Sequence, residues 1–149
     1  MPLEMPILAQ LNISPGGMPK LPIPTARITF AGVQGDRQKN RKDHSGPDRA
    51  ICLFSKELYA ELRAEGFDIH PGDLGENFTT RGIDLRDLAS GDRLRVGECL
   101  IEITKVREPC RQLKRWHADP VVDRLLYCRW EVVLRAWNHI INALRYCEF

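Results

Sequence analysis

Two alternating runs, Arg93–Val96 and Cys99–Ile103, are separated by only two residues, Gly97 and Glu98. A Gly-X pair between period-2 segments predicts a tight β-hairpin, because glycine accepts the positive φ that such a turn needs. This feature commits the middle of the chain to antiparallel sheet and fixes its register. The chain has 149 residues, 43% of them hydrophobic, which suits one domain with a real core. The apolar residues are too scattered for a membrane span. The proline-bearing N-terminus lacks a basic-then-apolar signal, so a cytoplasmic setting away from membranes is expected.

Further elements follow from local pattern. Residues 1–25, rich in Pro and Gly, read as an extended lead-in, and Ala26–Phe30 as a short strand. Gly32–Arg49 is polar and without periodicity, which in a compact domain marks a functional loop or disorder. The apolar strand Ile51–Phe54 follows it at once, which favours a binding loop. Ser55 is placed to cap a helix, with Glu57 in its first turn and Gly66 as its stop. Phe54 can staple onto Tyr59, while Leu58 and Leu62 share one face. Asp119 and Pro120 resemble a cap and first-turn proline. Leu126, Val133, Trp137, Ile141 and Leu144 then mark one face of a helical tail. The expected fold is mostly β, with one short helix and a helical C-terminal tail. No repeat or linker divides the chain.

Net charge is only +2, giving no global steering toward nucleic acid. The charge is uneven, however. Residues 37–49 carry five bases against two acids, and residues 105–115 carry five against one. Brought together, they would form a cationic pocket for a small anion. Five cysteines cannot all pair within the chain, and none stands in a C-x-x-C arrangement. That argues against a disulfide scaffold or a zinc ribbon and for a reducing compartment. Cys52 and Cys99 read as core fillers, and Cys128 and Cys147 stand in no polar constellation.

Cys110 differs from the other four. Arg107 and Arg111 flank it closely enough to favour the thiolate, the form that attacks electrophiles and binds soft metals. Pro109 should end the preceding strand and present the thiol at its exit. The alternative is an inert strand-end cysteine with the arginines as a solvated rim. Glu76-Asn-Phe-Thr-Thr80 follows Gly72 and Gly75, whose small size lets backbone approach a ligand that Asn77 and Thr79 could hydrogen-bond. The same residues could instead close a tight loop on its own backbone. Asp36 could hold Arg37 or cap the turn at Gly35, and the turn role is favoured. No Walker loop, dinucleotide fingerprint, zinc-protease helix or Ser-His-Asp pattern is present.

Several linked segments carry a resemblance. They are Ser14-Pro-Gly-Gly-Met-Pro-Lys20, Gly35-Asp-Arg-Gln-Lys-Asn-Arg-Lys-Asp-His-Ser-Gly-Pro-Asp-Arg-Ala50, Pro71-Gly-Asp-Leu-Gly-Glu-Asn-Phe-Thr-Thr80, Gly91-Asp-Arg-Leu-Arg-Val-Gly97 and Arg107-Glu-Pro-Cys110. Together they resemble the MOSC family, the domain shared with the C-terminal part of molybdenum-cofactor sulfurases, and most of all its small stand-alone bacterial members. The resemblance is strongest over residues 14–116 and treats 1–149 as one domain, with 117–149 a divergent tail. It implies a compact barrel-like β fold and a bound molybdenum cofactor (molybdopterin).

In that picture the Cys110 thiolate ligates the metal, and Lys20, Arg37, Arg49, Arg107 and Arg111 meet the pterin's anionic groups. Asn77 and Thr79 would face the pterin edge. Asp48 would pair with Arg49, or receive a hydrogen bond from a loop-stabilising His44. The other role for His44 is to contact the pterin or shuttle a proton. The activity implied is reduction of an N-hydroxylated small molecule, using a separate electron-donor protein because no flavin, haem or iron–sulfur motif is present. The sulfurase branch implies a rival chemistry, a Cys110 persulfide loaded by a pyridoxal-phosphate desulfurase acting in trans. A non-catalytic binding module is the third reading. Related proteins close on a strand-and-turn segment ending in Gly-Asp. A helical tail in its place would leave a sheet edge open to homodimer formation.

Overall fold

The computed structural model describes residues 5–17, 19–37, 51–106, 130–134, 139–142 and 147–148. Eleven strands and one α-helix are formed among them. In chain order the first strands are β1 (Ile7–Ile13), β2 (Leu21–Ile23), β3 (Thr25–Thr29), β4 (Gly32–Val33) and β5 (Ile51–Ser55). Then come helix α1 (Lys56–Ala64), β6 (Phe78–Arg81), β7 (Arg93–Val96) and β8 (Cys99–Val106). Strands β9 (Trp130–Leu134), β10 (His139–Asn142) and β11 (Cys147–Glu148) complete the set. Eight strands make one sheet in the order β11-β7-β8-β9-β5-β6-β1-β2, and three make a second in the order β10-β3-β4. The mostly β architecture expected from the pattern is the one found.

The hairpin forms as the two-residue turn demands. Val96 pairs with Cys99 and Arg93 with Glu102, around Gly97 at φ 60°. Side chains from both sheets close over one core. Leu8 and Leu11 of β1, Ile28 of β3, Leu53 of β5, Phe78 of β6, Leu94 and Val96 of β7 and Ile101 of β8 all pack within it. Strand β5 is buried along its whole length. Ile51 and Leu53 face the main core, while Phe54 joins Tyr59, Leu62, Ile69 and Leu74 beneath α1. A strand covered on both sides reads as a continuous apolar run, and Ile51-Cys-Leu-Phe54 does.

Helix α1 follows its local signals. The Ser55 hydroxyl accepts from the amides of Glu57 and Leu58, and donates to Glu57 Oε2 at 2.7 Å. The Phe54 and Tyr59 rings meet edge to face with centroids 4.8 Å apart. The helix lies between β5 and β6, which pair in parallel, so it forms the crossover such a pair requires.

Three expectations are corrected. The N-terminal lead-in contains β1, which lies between β2 and β6 and buries Leu8 and Leu11 completely. The segment around Phe78 is strand β6 and not a loop, its register set by pairing Leu53 with Phe78 and Ser55 with Thr80. The helical tail is replaced, wherever it is described, by strands. β9 fills the gap between β5 and β8, β10 pairs with β3 and β11 with β7. The Trp-Glu-Val-Val-Leu run is rich in β-branched and aromatic residues, and two open strand edges were waiting for it. These long-range ladders outweigh the helical spacing of Val133 and Ile141. The described tail therefore adds strands to both sheets instead of leaving them unpaired.

Candidate functional site

The polar interior begins with Asn12, a buried amide in the mostly apolar strand β1, whose Oδ1 accepts from Gln10 Nε2 at 2.6 Å. Its Nδ2 donates to the Glu76 carbonyl at 3.2 Å and to Thr79 Oγ1 at 3.0 Å. Its backbone N–H donates to Asn77 O at 2.8 Å. Asn77 in turn donates from Nδ2 to Asn12 O at 3.2 Å and to Asp36 Oδ2 at 2.9 Å, while its Oδ1 accepts from Cys52 N at 3.2 Å. Thr79 accepts from Asn12 and donates to Glu76 Oε1 at 2.8 Å. Buried polar groups need such partners, since an unpaired one costs about 1–3 kcal/mol. Asn77 and Thr79, expected at a ligand's edge, therefore use their side chains inside the protein.

Lys20 and Asp36 form the charged part of this network. Lys20 Nζ lies 2.7 Å from Asp36 Oδ1 and 2.6 Å from Oδ2, with side-chain exposures of 6% and 7%. Asp36 Oδ1 also accepts from Ser14 N at 2.9 Å. Lys20 is fixed through its backbone, its N–H donating to Gly72 O at 2.9 Å. Gly72 sits at φ +94°, and a Cβ there would lie 2.1 Å from Lys20 O. Only glycine permits this approach. The carboxylate of Asp36 thus has a role beyond the turn at Gly35, although its N–H does donate to Val33 O at 3.1 Å.

Glu76 occupies the other side of Gly72. It is fully buried and receives three donors, Tyr59 Oη at 2.6 Å, Gly72 N at 2.7 Å and Thr79 Oγ1. Desolvation raises its pKa above the usual carboxylate value, and these hydrogen bonds, with one from its own backbone amide, only partly offset this. Burial likewise pushes the Cys99 thiol up to about 11.

Of the cationic set expected to meet an anion, Lys20 and Arg37 are described. The Lys20 charge is met by Asp36, so it does not fit the role of a phosphate ligand. Arg37 is exposed, one residue beyond Asp36, and fits it. His44, Asp48, Arg49, Arg107, Cys110 and Arg111 lie outside the described residues. Among those described, no group of three or more His, Cys, Asp or Glu is arranged to hold a metal. Two grooves of about 260 and 390 Å³ adjoin Gly82–Asp84. Their walls include Glu57, Glu61, Asp84, Asp87 and Asp92 against Arg86 and Arg93, a balance unsuited to an anion. No described helix is long and apolar enough to cross a membrane.

Sequence reasoning passed over Asn12, Tyr59 and Glu76 as members of this network. The available signals were an amide inside the mostly apolar run Ile7–Ile13 and a glutamate set between Gly75 and Asn77.

Comparison with known proteins places the chain in a family. The model of the MOSC domain matches residues 40–136, and the chain belongs to that family. The MOSC family is associated with binding the molybdenum cofactor. Protein YiiM of Escherichia coli strain K12 is 38% identical over 98 residues, covering 62% of this chain and 42% of that protein. The uncharacterized protein YflK of Bacillus subtilis strain 168 is 30% identical over 103 residues, covering 66% of this chain and 46% of that one. The matched region is thus less than half the length of these curated relatives. The crystal structure of Escherichia coli YiiM superposes with a TM-score of 0.75 at 23% identity, over 97% of this chain and 69% of the other. The YUAD protein of Bacillus subtilis gives 0.78 at 17%, over 96% and 94%. Both likenesses support the fold.

Proposed function

We propose that the chain is a molybdenum-cofactor-binding oxidoreductase that reduces N-hydroxylated small molecules with electrons from a separate donor protein. The observation supporting this reading is that the family match spans residues 40–136, a range that includes His44, Asp48, Arg49 and the basic run around Cys110. Strand β8, Cys99–Val106, already carries Lys105, the first residue of that run.

When bound, the cofactor would supply a two-electron centre for cleaving an N–O bond. The overall reaction, R–NH–OH + 2 e⁻ + 2 H⁺ → R–NH₂ + H₂O, requires a donor protein for the electrons. The protein's own part is to ligate through the Cys110 thiolate, hold anionic groups through Arg37, Arg49, Arg107 and Arg111, and pass protons through His44. Lys20, Asp36, Asn77 and Thr79 hold the scaffold next to Arg37.

The test is metal and pterin analysis of the full chain made in a cofactor-competent host, beside a control molybdoenzyme. Stoichiometric molybdenum supports the reading, and neither metal nor pterin in this chain with a full control overturns it. A Cys110 persulfide, detected by mass after incubation with a desulfurase and cysteine, would favour sulfur transfer instead.

A further inference from the structure

We infer that Lys20 and Asp36 are positioning residues for Arg37, and that Arg37 presents the anion-facing charge of this part of the molecule. Lys20 has the composition of an anion ligand but not the placement. Its ammonium rests on both Asp36 oxygens and is almost wholly buried, so the pair is neutral where a ligand would need a net positive charge.

The geometry instead transmits order along the chain. Ser14 grips both sides of the Asp36–Arg37 step, its N–H donating to the Asp36 carboxylate and its carbonyl accepting from Arg37 N at 2.8 Å. Ser14 is itself held in a turn, with its hydroxyl donating to Gly17 O at 2.8 Å and accepting from Gly16 N at 3.2 Å. Asn77 closes the remaining side of the carboxylate from the position just before β6. Lys20 supplies the charge that pairs with the buried Asp36 carboxylate, and the contact of Lys20 with Gly72 keeps Lys20 in register. One bond reaches the Arg37 backbone directly, from its N–H to Ser14 O, the others hold its neighbour Asp36 and Ser14 itself, and Arg37 is exposed.

The anion's identity, a phosphate-bearing pterin, rests on the proposed function; the positioning role does not. The two roles for Lys20 predict opposite signs for one isosteric change. If Lys20 bound the anion directly, Asp36→Asn would release a competing carboxylate and improve retention. With Lys20 as a positioning residue, Asp36→Asn weakens it.

The experiment compares wild type, Asp36→Asn, Lys20→Met, Arg37→Gln and the double variant Lys20→Met/Arg37→Gln as full chains from a cofactor-competent host. Molybdenum per chain is measured together with amide hydrogen exchange. Exchange at Ser14 and Arg37 should quicken by about tenfold or more in Asp36→Asn and Lys20→Met and stay unchanged in Arg37→Gln, because a buried pair is being broken in the first two only. Slow exchange across β5 and β6 reports that each variant is folded. Molybdenum should fall in all the single variants, and the double variant should be no worse than Arg37→Gln alone. Equal exchange at Ser14 and Arg37 in all variants, higher molybdenum in Asp36→Asn, or additive losses in the double variant would overturn the inference. A wild type without molybdenum would sink the reductase reading, and the exchange rates would then decide the positioning role by themselves.

Discussion

The Tyr59 hydroxyl donates a 2.6 Å hydrogen bond to Glu76 Oε2 and accepts one from Leu74 N at 3.2 Å, joining α1 to the loop that supports Lys20. No cation takes part in the hydrogen bonds drawn to Glu76, whose partners are all neutral donors. Tyr59→Phe leaves the ring packed against Phe54 but removes one donor and one acceptor from a buried place. The expected loss is about 1–3 kcal/mol of unfolding free energy, read by urea denaturation. No change would mean that the carboxyl group is hydrated in solution.

Glu76 also makes stability depend on pH. Its folded pKa is raised above the ordinary 4.5, so the folded chain holds this proton more tightly than the unfolded one. The group's stabilising contribution is complete below the ordinary value and is lost as pH rises through the folded value. Glu76→Gln removes that term and leaves the other carboxyls in place. Wild-type minus variant stability should therefore decline with rising pH from 4.5 upward. A difference that grows with pH would show that the hydrogen bonds to this carboxyl outweigh desolvation.

Gly72 and Gly66 offer a matched pair of substitutions. Both have positive φ, +94° and +101°, but only at Gly72 does a Cβ strike backbone, at 2.1 Å from Lys20 O, whereas Gly66 has nothing within 4 Å. Gly66→Ala should cost only the conformational strain, about 1–3 kcal/mol. Gly72→Ala should cost more, and should also quicken exchange at the Lys20 amide, which donates to Gly72 O. Equal midpoints for the two variants in thermal melts would mean that Lys20 moves aside freely.

The division between what could and could not be read from sequence follows the range of the interactions. Ser55, Glu57 and Tyr59 lie within five residues of one another, so the start of α1 was legible, as was the hairpin at Gly97. The tail was not, because Trp130–Leu134 becomes a strand through β5, nearly eighty residues earlier, and through β8. The polar network shares this property. Asn77 reaches Asp36 across 41 positions and Asn12 reaches Thr79 across 67, with no local spacing to announce either contact. Composition marked Lys20 as cationic, but only the fold shows that its charge is already met.

The thiols provide the last prediction. Cys52 and Cys99 are buried, and Cys99 has its pKa pushed up to about 11 by desolvation, so neither should react quickly with iodoacetamide in the folded chain. Cys110 stands in sequence between Arg107 and Arg111. Nearby guanidinium charge favours a thiolate, so Cys110 should alkylate first, with a rate that rises at lower pH than for an ordinary thiol. Arg107→Gln and Arg111→Gln should each shift that profile to higher pH, and each should reduce cofactor retention if the same charges hold the anion. Lys20→Met should leave the profile in place, because its charge is neutralised by Asp36. Peptide-level mass spectrometry across a pH series resolves the five cysteines separately. An unshifted Cys110 profile in both arginine variants would return those residues to a solvated rim, and the case for chemistry at this thiol would then rest on membership of the family.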